Sequence, residues 1–314
     1  MTKHRAVVAI ASLLSGALTL GAAPPPAEPL TTLWEEPTNI SSRNLFTGPW
    51  GVEYAPHPLA TFKLTAFKSH GINPGVVVVD ALGREWHVKQ HANNNAGDEG
   101  PVEVVISRVL SAVGYHQPPV YYLNAFTLSA EDGTRVMPGG RFRLQDPSLQ
   151  EIGSWSWQEN AFVNTRPYRG LLAILLLFNS TDLKDANNTL YRLSRRGAST
   201  DWFVVRDLGA ALGETGRFAP RGGDADLFEQ SPFITGVKDG FVEFANRSAY
   251  QKVFQARITP QDAAWAGNLL AHLSGRQWRD AFRAGGYAPD VSERFIRKIR
   301  INIDVARGLP VERR

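Results

Sequence analysis

The chain has 314 residues, is 43% hydrophobic and 20% charged, and carries a formal net charge of +4. That length admits one large domain or two modest ones with a sizeable core, and the mild positive balance suits an anionic ligand such as a nucleotide without pointing to nucleic acid. With no cysteine in the sequence, disulfides, thiolate zinc sites and cysteine nucleophiles are excluded.

Lys3, His4 and Arg5 precede a short apolar segment, Val7 to Leu20, and the small residues Gly21, Ala22 and Ala23 follow. This is the layout of a secretory signal over residues 1–23, and the apolar run is short for a membrane span. The expectation is a secreted or periplasmic protein, its mature chain beginning between Ala22 and Ala27, with no stable span after cleavage. The alternative is tethering by an uncleaved signal-anchor. Residues 24–58 read as a Pro-rich linker and an extended N-terminal arm.

From Phe62 the pattern alternates as a strand to Phe67, and Val76 to Val79 and Glu85 to Lys89 read as two more. Turn residues separate them: Ser69-His-Gly71-Ile-Asn-Pro-Gly75, then Asp80-Ala-Leu-Gly83. On the third strand Trp86 and Val88 share one face, His87 and Lys89 the other. After a loop over residues 93–100, Pro101 opens a helix with an apolar stripe, Val102, Ile106, Val109, Leu110 and Val113, and Gly114 ends it. Glu103 sits in its first turn, where a helix dipole favours an acid; Glu99 falls in the preceding loop. Val120 to Leu128 and Thr134 to Leu144 read as strands around Glu131-Asp-Gly133, and residues 145–164 as a linker.

Leu171 to Phe178 is almost wholly apolar and ends a buried helix from Arg166. The composition then flips to Asn179-Ser-Thr-Asp182-Leu-Lys184-Asp-Ala-Asn187-Asn188. Such residues make a polar turn for local hydrogen-bonding reasons, and they also deliver an Asp, a Lys and an Asn to the end of a core helix. Thr189 to Leu193 and Trp202 to Val205 read as strands, the second running into Arg206-Asp207-Leu208-Gly209. The stretch 210–240 is rich in Gly, Pro and Asp and reads as a loop. Thr259-Pro260 caps the first of three amphipathic helices, over 263–273, 275–284 and 291–306. Residues 59–160 thus read as a strand-rich unit and 161–314 as a helical one. His87 and His91 make a poor metal pair, and no Walker loop, His-Glu-x-x-His helix or nucleophile elbow occurs.

In order, these residues resemble the protein-kinase-like superfamily, and its atypical secreted and HipA-like members most. The shared features are a strand Lys89, a helical Glu103, Asp182 with Lys184 two and Asn187 five residues on, and Asp207-Leu-Gly209 after a strand. Ser180-Thr181 stand where the family has His-Arg, no Ala-Pro-Glu segment follows, and the glycine loop is irregular. The resemblance implies an α+β, two-lobed protein-kinase-like fold with an antiparallel-sheet N-lobe and a mostly helical C-lobe. It implies ATP with Mg2+ or Mn2+ as cofactors. Gly71 and Gly75 would mark the loop over the phosphates, Lys89 would grip them and Glu103 would hold Lys89. Asp182 would be the catalytic base with Lys184 beside it, and Asn187 and Asp207 would be the metal ligands. The expected activity is transfer of a γ-phosphoryl group to a hydroxyl of a protein, glycan or small-molecule acceptor. A kinase-fold pseudoenzyme or nucleotide-binding module without transfer is the other reading, and an unrelated exported α+β protein the third. Sequons at Asn39, Asn179, Asn187 and Asn246 would place glycans in the proposed active loop, which favours a bacterial source.

Overall fold

The computed structural model describes residues 28–68, 74–90, 99–214 and 222–310. The signal segment, Gly71 and His91 lie outside them. Among the described residues no helix is long and apolar enough to cross a membrane.

The protein is a mixed α+β chain. Five strands, β1 (Thr61–Phe67), β2 (Gly75–Val79), β3 (Glu85–Gln90), β4 (Val120–Ala130) and β5 (Gly133–Leu144), form a closed barrel in the order β1-β2-β3-β5-β4. An antiparallel sheet is expected from the sequence. Four of the pairings are antiparallel, but β1 closes the barrel by running parallel to β4, with Thr61 opposite Thr127 and Phe62 opposite Leu128. The reason is burial on period two. Phe62, Val76, Val78, Trp86, Val88, Phe126, Leu128, Phe142 and Leu144 all point to one side and fill one core, and closure removes the exposed edges an open sheet would leave. The outward face of β3 and β5 is charged: His87 pairs with Arg143 and Lys89 with Arg141 across the two strands.

Helix α1 (Glu99–Ala112) lies against β4 and β5. It starts two residues before Pro101, whose missing N–H falls in the first turn and costs no hydrogen bond. Nearly all of its residues are buried, because a later helix, Gly275–Ala284, and the N-terminal arm pack on it away from the barrel. Trp34 Nε1 donates to the Val113 carbonyl at 2.8 Å and Trp50 Nε1 to that of Gln117 at 2.9 Å.

The second core is built by α2 (Arg166–Leu177), α4 (Pro260–Ala271), α5 (Gly275–Ala284) and α6 (Pro289–Arg307). Thr165 caps α2, and Thr259 with Asp262 forms a reciprocal capping box on α4. Between α2 and α4 in the sequence stand β7 (Asn188–Arg195) and β8 (Ala198–Val205), a short α3 (Ala225–Gln230) and a hairpin of β9 (Ile234–Lys238) and β10 (Phe241–Phe244); β7 pairs with β8 on one side and with β6 (Leu149–Gly153) on the other. Two sequence readings change here. The stretch 145–164 holds β6, which finds its partner in β7, and 210–240 holds α3 and β9. Both are short elements whose partners are distant in sequence, so local composition alone reads as loop.

Candidate functional site

Helix α2 ends in a Schellman turn. Asn179 adopts a left-handed φ of 57°, its N–H bonds the Leu176 carbonyl, and Ser180 N–H bonds that of Leu175, each at 2.9 Å. The chain leaves the buried helix at a fixed angle, and the next residues are stitched to the segment after Asp207. Thr181 N–H donates to the Ala210 carbonyl at 2.9 Å, Leu212 N–H to that of Phe178 at 2.7 Å, and Asn179 Nδ2 to that of Gly213 at 3.2 Å. Asn246 Nδ2 donates to the Ser180 carbonyl and Asn302 Nδ2 to that of Leu177, holding the same turn from two other elements. Asn179, Asn187 and Asn246 are all buried, which leaves no room for glycans on them.

The β7–β8 register does the rest. Asn188 lies opposite Val205, and Arg206 N–H donates to the Asn187 carbonyl at 2.8 Å. Asn187 therefore stands next to Asp207. Asn187 Nδ2 donates to the Asp182 carbonyl at 2.9 Å and to Asp182 Oδ2 at 3.1 Å, and Lys184 Nζ reaches the same Oδ2 at 2.7 Å. Both acceptors fix the amide's orientation and turn its Oδ1 the other way. Burial works against the Lys184 charge, but Asp182, and Asp207 farther off, raise its pKa overall.

Lys89 meets this group from β3. Its Nζ is 2.7 Å from Glu99 Oε2, 3.9 Å from Glu103 Oε2 and 4.0 Å from Asp207 Oδ1. Glu103 is buried and divided: Oε1 lies 3.2 Å from Arg141 Nε, while Oε2, facing Lys89, accepts no hydrogen bond. The sequence leaves Glu99 in a loop. The structure makes it the first residue of α1 and the nearest carboxylate to Lys89, with Glu103 shared between Lys89 and Arg141. Glu103→Gln leaves two buried cations short of a partner and should cost about 3 kcal/mol of stability. Glu99→Gln, at the more open end, should cost under about 1 kcal/mol. Urea unfolding of the two variants checks the difference.

Asp207 has a left-handed φ of 51°, a position that Asp tolerates better than most residues and that clusters at functional sites. Burial pushes its pKa up, but Lys89, Arg141, Arg143 and Arg206 outweigh this and hold it at about 2. Gly209 is required by crowding, since a Cβ there would come within 2.5 Å of the Glu99 carbonyl oxygen. The Asp-Leu-Gly turn is thus pressed against the start of α1. Gly75 opens β2 opposite Lys89, where a Cβ would meet the Val88 carbonyl at 2.5 Å.

Asn187 Oδ1 and the ionised Asp207 are hard oxygen donors, of the kind Mg2+ takes in ones and twos alongside phosphate oxygens and water. The donor set fits such a cation. Among the described residues no cluster of three or more His, Asp or Glu is placed to hold a metal, so phosphate and water would have to complete its shell.

Four further charged groups surround the site and do not stand out in the sequence: Lys68, Arg141, Arg143 and Arg206. Burial, then Lys89, lowers the pKa of Lys68 at the end of β1. For the two β5 arginines the legible signal is the alternation Arg141-Phe142-Arg143-Leu144, which puts both guanidinium groups on the face of Lys89.

No family model matches the chain, and no curated protein matches it in sequence. Among solved structures it is similar to the Helicobacter pylori proinflammatory kinase CtkA, with a TM-score of 0.44 and 9% identity over 80% of this chain and 97% of that one.

Proposed function

We propose that the protein is a nucleoside triphosphate-dependent phosphotransferase with a protein-kinase-like arrangement, using ATP with Mg2+ or Mn2+ and acting outside the cytoplasm on a hydroxyl of a protein, glycan or small molecule. The observation that carries the reading is convergence. Lys89, 118 residues before Asp207 in the sequence, stands 4.0 Å from it, and the Asn187–Asp182 pair adjoins Asp207 through the β7–β8 register.

In this reading Lys89 is a point charge on the phosphates, kept in place by Glu99 and Glu103. Asn187 and Asp207 hold the cation, which shields the phosphate charge when bound. Asp182 accepts the acceptor's hydroxyl proton: its Oδ2 is occupied by Lys184 and Asn187, and the other oxygen is left for the incoming group. Lys184 neutralises charge building on the transferred phosphoryl group. Positioning and electrostatics account for most of the rate in this chemistry.

The test is thermal unfolding of the full chain with ATP, with and without Mg2+. A hundredfold excess of nucleotide over Kd should stabilise the protein by roughly 2.7 kcal/mol, and the gain should need the metal. A chain that no nucleoside triphosphate stabilises under either condition is not this enzyme. One that binds but transfers to no acceptor, itself or water included, is a binding module.

A further inference from the structure

A row of residues crosses four strands of the barrel on the face that carries Lys89 to Asp207. Gly75 of β2 lies opposite Lys89 of β3, and Lys89 lies opposite Arg141 of β5. Lys68, at the end of β1, joins the row on the other side of Gly75, its N–H donating to the Gly75 carbonyl at 2.9 Å. Residues level with one another on neighbouring strands send their side chains to the same face. Gly75 has no side chain to send, and that of Lys68 leans over it instead. The Lys68 Cβ is 3.5 Å, and its Cδ 3.2 Å, from the point where a Gly75 Cβ would stand. The row therefore reads Lys68, glycine, Lys89, Arg141, with the first lysine reaching across the glycine.

The cations of this row are not balanced alike. Lys89 has Glu99 and Glu103 within ion-pair distance, and Arg141 has Glu103. Among the described residues no carboxylate comes as close to Lys68. Its strongest charged neighbour is Lys89, of like sign, ahead of Asp207, Arg141 and Glu103. Arg143 also lacks an acid, but it lies level with His87, outside this row. Two ammonium groups held near each other disfavour one another's charge. An anion that touches both turns that repulsion into attraction.

We infer that Lys68 is a second phosphate-binding group, which closes with Lys89 on the phosphate chain of the nucleotide across Gly75. This rests on the phosphotransferase reading above. The backbones of β1 and β3 lie two strand spacings apart, about 10 Å, a gap that two lysines leaning together can close on one anion. Lysine suits the place, being a compact charge with three donors on a flexible stem. It meets phosphate oxygens without a fixed geometry. A side chain at residue 75 would stand where the Lys68 stem now lies, so the glycine and the lysine form one device.

The experiment is calorimetric titration of the full chain with ATP in Mg2+. Lys68→Met should weaken binding about tenfold, the loss expected for one hydrogen bond to a charged group. Lys68→Gln should repeat the loss if the methionine variant fails to fold. Lys68→Arg keeps the charge and should bind within a few-fold of the wild type. Lys63→Met makes the same change of net charge on the same strand, five residues or about 16 Å away, and should leave the affinity unchanged. Wild-type affinity in both neutral Lys68 variants, an equal loss in Lys63→Met, or an arginine variant as weak as the neutral ones overturns the inference and leaves the phosphotransferase reading standing. A wild-type chain that binds no ATP overturns both.

Discussion

Lys89→Ala should abolish the stabilisation that a nucleoside triphosphate confers, and Asp207→Asn should abolish the part of it that depends on metal. Lys89 sits among three carboxylates, Glu99, Glu103 and Asp207. Taking its charge away leaves them facing one another, so the unliganded variant will itself be less stable. The informative quantity is therefore the shift on adding nucleotide, not the unfolding temperature alone. Roughly 2.7 kcal/mol of ligand stabilisation at a hundredfold excess over Kd should fall to near zero in Lys89→Ala at the same nucleotide concentration. Asp207→Asn keeps the shape and one oxygen but removes the charge a cation needs. Its nucleotide shift should be small and equal with and without Mg2+. A Lys89→Ala protein that responds to nucleotide as the wild type does would remove Lys89 from the phosphate site. The pH behaviour follows from the same charges. The folded Asp207 pKa, about 2, lies below the ordinary carboxylate value. Its contribution to folding is therefore present above the ordinary range and is lost as pH falls toward 2. Asp207 stays ionised, and able to take a metal, through any mildly acidic compartment.

What the sequence made legible was a set of polar residues on strongly patterned elements that the fold brings together. The run before Asn179 is too apolar to be anything but a core helix, and Val76 to Val79 and Trp86-His87-Val88-Lys89 alternate with turns between them. Lys89, Asp182, Asn187 and Asp207 could be picked out because each sits one step from such an element. What stayed hidden depends on pairing over distance. Barrel closure rests on β1 meeting β4 some sixty residues on, which no local period encodes. β6 looks like a linker until β7 is beside it. Glu99 lies outside the apolar stripe, and only α1's actual start turns it toward Lys89. The arginine wall was missed because an arginine in an alternating strand usually faces solvent. Here α1 packs against β5, and Arg141 and Arg143 act on the half-buried Asp207 instead of standing in open solvent.

Asp182→Asn should lower phosphoryl transfer by roughly a hundred- to ten-thousand-fold, the range one positioned acid–base group contributes, while leaving nucleotide affinity within a few-fold of wild type. The substitution is nearly isosteric. It forfeits the ion pair with Lys184, but that pair is half in solvent and worth at most about 1 kcal/mol. The Asn187 contact to the residue 182 carbonyl does not involve the residue 182 side chain and persists, so the Asn187 amide stays anchored. The loop is also held by Thr181 on Ala210 and by Asn246 on Ser180, neither of which the substitution touches. The loss should therefore appear in turnover and not in binding, the opposite of Asp207→Asn, where metal-dependent binding goes first. Single-turnover transfer and calorimetric nucleotide binding on both variants resolve the two. If Asp182→Asn transfers as fast as the wild type, the base lies elsewhere. If both variants lose binding alike, the two aspartates act as one structural unit, and the division of labour between proton acceptor and metal ligand is wrong.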